Sequence, residues 1–258
     1  MKKTTLKFST FLVMSFCISG LMLFSSCTEE EIKKITEQVE NTPPPGPDNS
    51  IPLPNWTDAA GILVSTKVKT VQSGISVEMG VATAAFYANL GDTTFADAGT
   101  VKCETKELTK QSNQVYVFTP IQTEPLGISM SPPIDWEIGG SGSVTAFTHS
   151  VVGNFPTADS ISSALTFSNT GAYTLSAGNV SNADSVIFMI AGASGAPLLK
   201  TLPGNATSCT FTAAEMATLV VGTGLVQVVP MRITEHSIAP KKYYFIRQTA
   251  VSKTVTIN

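Results

Sequence analysis

"LVQVVPMRIT", Leu225–Thr234, and "KKYYFIRQTAVSKTVTI", Lys241–Ile257, decide the fold class. Both are dense in the β-branched and aromatic residues that suit a pleated strand, and Gly222, Gly224 and Pro240 punctuate them. Successive side chains of a strand point to opposite faces, so Tyr243 and Tyr244 must lie on different sides of the second run.

The same texture runs back to about Asp58. Candidate strands are "GILVSTKVKTV", "ISVEMGVATAAFYA", "TVKCETKEL" and "QVYVFT", the last two joined around "TKQSN" as a hairpin. After the connector "TEPLGISMSPP" come "DWEIGG", "SVTAFTHSVV", "ALTFS", "AYTLSA", "SVIFMIAG", "PLLKTL" and "SCTFT". Many short strands between turn residues point to an antiparallel β-sandwich or barrel. One helix is expected: Thr212-Ala213-Ala214-Glu215 has the form of a capping box, Met216, Leu219 and Val220 supply an apolar face, and Gly222 and Gly224 end it. A short helix between strands resembles an ornament of immunoglobulin-like and fibronectin-III-like sandwiches. The expectation is a mainly β protein with one or two antiparallel sandwich domains. The proline pair Pro132-Pro133 favours a first domain over 58–130 and a second over 131–258, one continuous domain being the alternative.

No HExxH, CxxC or DxDxDG calcium loop occurs, so no metal or cofactor is expected. His149 and His236 each lack a partner at metal-binding spacing. In "GGSGS", Ser143 stands where a nucleophile elbow needs glycine, and "GTG" at 222–224 follows a helix instead of opening one. No catalytic residue is assigned. Trp56, Trp136 and Tyr243 are aromatic groups able to stack on a sugar, as in surface glycan-binding lipoproteins. A core position is the stronger reading of Trp136. Cys103 and Cys209 sit in alternating stretches and read as buried free thiols, although an oxidising compartment would let them pair.

The front of the chain carries an address. Lys2, Lys3 and Lys7 precede an uncharged, mostly apolar run from Phe8 to Phe24, the layout of a secretory signal over residues 1–26. A membrane span needs about 20 predominantly apolar residues, and this run is broken by Ser9, Thr10, Ser15, Ser19 and Gly20. Ser25-Ser26-Cys27 resembles the lipobox of bacterial lipoproteins, with Phe24 where Leu or Val is usual. The resemblance implies that Cys27 is lipidated. Glu29, Glu30 and Glu31, directly behind it, resemble the acidic export tag of Bacteroidota surface lipoproteins. Through Asn41 the chain is charged, and "PPPGPDNSIPLP" then makes a semi-rigid extended spacer, so 27–57 reads as a lipidated tether. Asp92-Thr93-Thr94, Asp159-Ser160-Ile161 and Asp184-Ser185-Val186 resemble the Bacteroidota O-glycosylation motif, with Thr93, Ser160 and Ser185 as acceptors.

The chain has 16 basic and 19 acidic side chains. Loss of Lys2, Lys3 and Lys7 with the signal leaves 13 against 19, a formal charge of −6. Only Arg232 and Arg247 are arginines. Such a surface lacks the footprint of nucleic-acid binding. The functional expectation is an outer-membrane lipoprotein facing the cell exterior, anchored by its lipid and acting as a non-catalytic module for adhesion, assembly or protein binding. A glycan-binding accessory to polysaccharide uptake is the alternative, and a hydrolase stands third.

Overall fold

The computed structural model describes residues 58–72, 75–90, 94–238 and 240–258. Cys27, Glu29, Glu30, Glu31, Trp56 and Thr93 lie outside them. In chain order the elements are β1 (Ala59–Gln72), β2 (Ile75–Phe86), β3 (Val101–Cys103), β4 (Lys106–Glu107), β5 (Thr109–Lys110) and β6 (Tyr116–Phe118). They continue with β7 (Ile134–Ile138), β8 (Phe147–Val151), β9 (Thr166–Phe167), β10 (Tyr173–Ser176), β11 (Ser185–Ala191) and β12 (Leu198–Pro203). Last come β13 (Ser208–Phe211), α1 (Ala213–Met216), β14 (Gly222–Ile238) and β15 (Lys241–Ile257). The protein is mainly β.

A nine-stranded sheet organises it, in the order β12-β11-β14-β15-β1-β2-β6-β5, with β9 against the end of β15. The sheet is mixed: β1 runs parallel to β15, and the other pairs along the path are antiparallel. Strands buried on both faces read as near-continuous apolar runs. That is why "GILV" and "YYFI" show little alternation, and Tyr243 and Tyr244 do enter different apolar clusters on opposite faces.

On one face, alternate residues of β15 meet two different covers. Tyr243 and Phe245 pack under a four-stranded sheet, β4-β3-β7-β8, together with Trp136, Ile134, Ile138 and Val101. Val251, Val255 and Ile257 pack under the β10–β13 ribbon and α1, with Leu175, Phe211, Met216 and Leu219. Between them, Arg247 and Thr249 form a polar seam crossed by the loop at 153–156. The other face buries Ile62, Val64, Ile187, Met231, Tyr244 and Ile246.

The boundary expected at 130/131 therefore falls inside a sheet and inside a core. β1 bonds along β15 from Ala59↔Lys242 to Thr70↔Ser252, and β7 bonds to β3. The covers change at the seam instead. "TVKCETKEL" is not one strand: Glu104 has φ 54°, which turns the chain so that β4 folds back on β3. The expected hairpin of "TVKCETKEL" with "QVYVFT" is corrected: β3 pairs with β4 and β7, and β6 pairs instead with β5, whose Thr109 and Lys110 come from the expected turn. The capping box at Thr212 and Glu215 is present on both of its arms, but α1 is shorter than expected and Val220 is exposed. Among the described residues no helix is long and apolar enough to cross a membrane.

Candidate functional site

The β14–β15 ladder is interrupted beside the seam. Pairing of β14 with β15 lapses between Val228↔Val251 and Met231↔Gln248, where Val229 and Pro230 stand. Pro230 has no N–H to give to a ladder. The register beyond it is unchanged and sets Arg232 directly beside Arg247 on the same face.

Arg247 is 3% exposed. Its Nη1 donates to the carbonyl oxygens of Gly153 and, at 3.2 Å, Asn154, and its Nη2 reaches Thr234 Oγ1 at 3.5 Å. Gly153 holds φ +91°, and a Cβ there would stand 3.0 Å from Nη1, so glycine lets this carbonyl approach. Thr249 Oγ1 donates to Pro156 O at 2.6 Å, and Lys253 Nζ to Ile161 O at 2.8 Å. Arg232 is exposed and donates to Asn182 Oδ1, while Asn182 Nδ2 donates to Asn154 O at 3.0 Å. Both arginines are thus tied to one loop through neutral oxygens. Neither makes an ion pair among the described residues. Asp184 is exposed close by, its Oδ2 accepting the Ile233 N–H at 2.8 Å. Burial, and then the neighbouring Arg232 charge, hold the Arg247 guanidinium below its ordinary pKa.

Next to the seam, His149 of β8 stacks on His236 of β14, with ring centroids 3.9 Å apart and planes 21° from parallel. Phe245 lies 4.5 Å from the His149 ring. Burial first, and then His236, depress the His149 pKa below its ordinary 6.5. The unfolded chain therefore binds more protons than the native one between the two values. This contribution to stability is complete above pH 6.5 and is lost as pH falls from there toward the folded pKa. Urea midpoints measured from about pH 7 down to about pH 5 should fall less steeply in His149→Gln than in the parent protein. Equal slopes would remove the stacked pair from the acid response.

A third cluster joins Asp97, Tyr116 and Lys110. Asp97 Oδ1 accepts from Tyr116 Oη at 2.6 Å and from Gly99 N at 2.9 Å, and Oδ2 accepts from Lys110 Nζ at 3.0 Å. The tyrosine and the other donors hold Asp97 down at about 2, and burial pushes Tyr116 up to about 12. Neither group titrates near neutrality, so the cluster fastens the Asp97 loop to β6 and is not poised for proton transfer. Among the described residues no three His, Cys, Asp or Glu side chains are placed to hold a metal.

Trp136 and Tyr243 are each 1% exposed, so the suggested sugar platform is corrected: neither ring offers a face to solvent. Their burial follows from position, since Trp136 is an inward residue of β7 opposite Cys103 and His149. Ser185 is also corrected as a glycosylation acceptor, because it is 1% exposed inside β11. Ser160 is half-buried. Cys103 and Cys209 are free, buried and in different apolar clusters. The arginine pair and the histidine stack went unseen in the sequence because both depend on strand register. The one local hint was the scarcity of arginine, which makes a cross-strand pair conspicuous once the sheet is known. Compared with protein-family models and with curated proteins, the sequence matches none.

Proposed function

We propose that this chain is a lipid-anchored cell-envelope protein, held in the outer membrane through Cys27 and facing the cell exterior. Its folded part, a sandwich of the immunoglobulin-like kind, serves as a non-catalytic module for adhesion, assembly or partner binding. The observation that carries the reading is the order of features ahead of the fold. Small residues Ser25 and Ser26 precede Cys27, Glu29–Glu31 follow at once, and six prolines from Pro43 to Pro54 separate them from the β region. Two or more acyl chains anchor a protein stably where one does not, and the acidic run is placed to act as an export tag without touching the fold. The chemistry of the described residues is in keeping with binding. The Asp97 carboxylate is taken up by Tyr116, Gly99 and Lys110, while Arg232, at the edge of the seam, is exposed and cationic. The burial of Trp136 and Tyr243 takes support from the glycan-accessory alternative.

The reading is tested by growing cells with a fatty-acid analogue. The parent chain should take up label and partition with membranes. Cys27→Ala should remain an unlabelled precursor, and normal labelling of that variant would overturn the anchor.

A further inference from the structure

We infer that the Arg232–Arg247 pair is an oxyanion-binding site, in which Arg232 touches the ligand and Arg247 is the buried charge behind it. This gives the proposed binding module a ligand class, and it rests on that reading.

Three observations carry the inference. The chain has only two arginines, and the β14–β15 register sets them side by side on one face. Like charges directly opposite on a sheet are destabilising, and a buried cation without a charged partner is costly. Neither arginine makes an ion pair among the described residues, and Arg247 is 3% exposed with its Nε unpartnered. Carbonyls of Gly153 and Asn154 hold Arg247 in place but cannot neutralise it.

The second arginine is arranged for contact. Arg232 is exposed, and Asn182 takes one of its five N–H groups, which leaves donors for a ligand. A guanidinium matches a carboxylate, sulfate or phosphate with two parallel hydrogen bonds. Asn182 is in turn fixed by Asn154 O and Phe155 O, so Arg232 is steadied by the loop that Arg247 anchors. Asp184, engaged with the Ile233 N–H, offsets one of the two charges and leaves the patch cationic in an acidic protein. An oxyanion on Arg232 would lie near both positive charges with no other carboxylate in the cluster. The shared chemistry is that of a phosphate group, a sulfate or a sugar carboxylate.

The test is isothermal titration of the full chain in detergent with inorganic phosphate at fixed ionic strength, repeated with glucuronate. One saturable site with a Kd on the order of 1 mM is expected for a single charge-assisted contact. Binding of phosphate alone assigns a tetrahedral anion, and binding of both assigns any oxyanion. Arg232→Gln should weaken binding about tenfold without lowering the melting temperature, because its side chain is exposed and its charge opposes that of Arg247. Asp184→Asn should tighten binding, since it removes the one opposing charge and keeps an oxygen for Ile233 N–H. Binding of glucuronate alone assigns a carboxylate; absence of saturation with both probes, or a Kd in Arg232→Gln within about twofold of the parent, overturns the site. Loss of the lipid in Cys27→Ala does not bear on this titration, so the anchor and the site fail separately.

Discussion

Trp136→Ala should lower stability by about 3–5 kcal/mol, the range for deleting a buried aromatic side chain. For a domain of this size that is a fall in melting temperature of roughly 10 °C or more. Trp136 is among the largest fully buried side chains and lies between the register partners Cys103 and His149. It belongs to the cluster that joins the four-stranded cover to Phe86, Tyr243 and Phe245 of the large sheet. Alanine would leave a cavity at that junction, and the two sheets cannot close on it without breaking their own ladders. Trp136→Phe should behave differently. The indole Nε1 is buried without a partner, and phenylalanine removes that unsatisfied donor while keeping most of the ring. Its cost should be smaller, about 1–3 kcal/mol, because the cavity left by three ring atoms is partly offset by removal of the unsatisfied donor. The two variants are compared by thermal and urea unfolding. A melting temperature for Trp136→Ala within a degree or two of the parent would mean that the ring is not part of this core.

How far apart two residues lie in the chain decides whether their contact can be read from it. Local features were legible. The strand texture of Ile75–Phe86 and Lys241–Ile257 and the capping box at Thr212 each follow from neighbouring residues. Core was the stronger of two readings for Trp136, and the structure buries every second residue of "IDWEI". The parallel pairing of β1 with β15 was not legible, since nothing local tells a first strand to lie beside the last. With that pairing unseen, the proline pair looked like a boundary, although the large sheet continues across it. The seam failed for a related reason. Arg232 and Arg247 meet only through the hairpin register, and His149 meets His236 only because the four-stranded cover lands on β14 and β15. A mainly β fold was thus readable as a class, and neither its strand order nor its polar contacts were.

Gly80→Ala should detach the connector before β7 and cost up to about 5 kcal/mol, the sum of the losses that follow, although it adds a single methyl group. Gly80 sits inside β2, where glycine has no propensity advantage and marks a close backbone approach. The approaching segment is the connector: Gly80 N donates to Leu126 O at 2.9 Å, and Ile128 N donates to Gly80 O at 3.0 Å. A Cβ on Gly80 would lie 1.8 Å from Ile128 O, which is backbone and cannot swing aside. Gly127, opposite it, holds φ +66°, and its own Cβ would come within 2.1 Å of Gly80 O. Both glycines are therefore required by one contact. Relief of the clash separates the strands and forfeits two hydrogen bonds of about 1 kcal/mol each. It also exposes Ile128 and Met130, now 2% and 5% exposed, at about 1.5–3 kcal/mol for a fully exposed side chain. Partial exposure of each brings the total to the upper figure. A methyl group on Gly171 would meet nothing within 4 Å, and its φ lies outside the left-handed region, so Gly171→Ala is the matched control and should change stability little. Limited proteolysis reads the mechanism directly: Gly80→Ala should open cleavage between Ile121 and Met130, and Gly171→Ala should not. Resistance of that segment in Gly80→Ala, together with unchanged unfolding, would show that the connector does not hold to β2 through this pair.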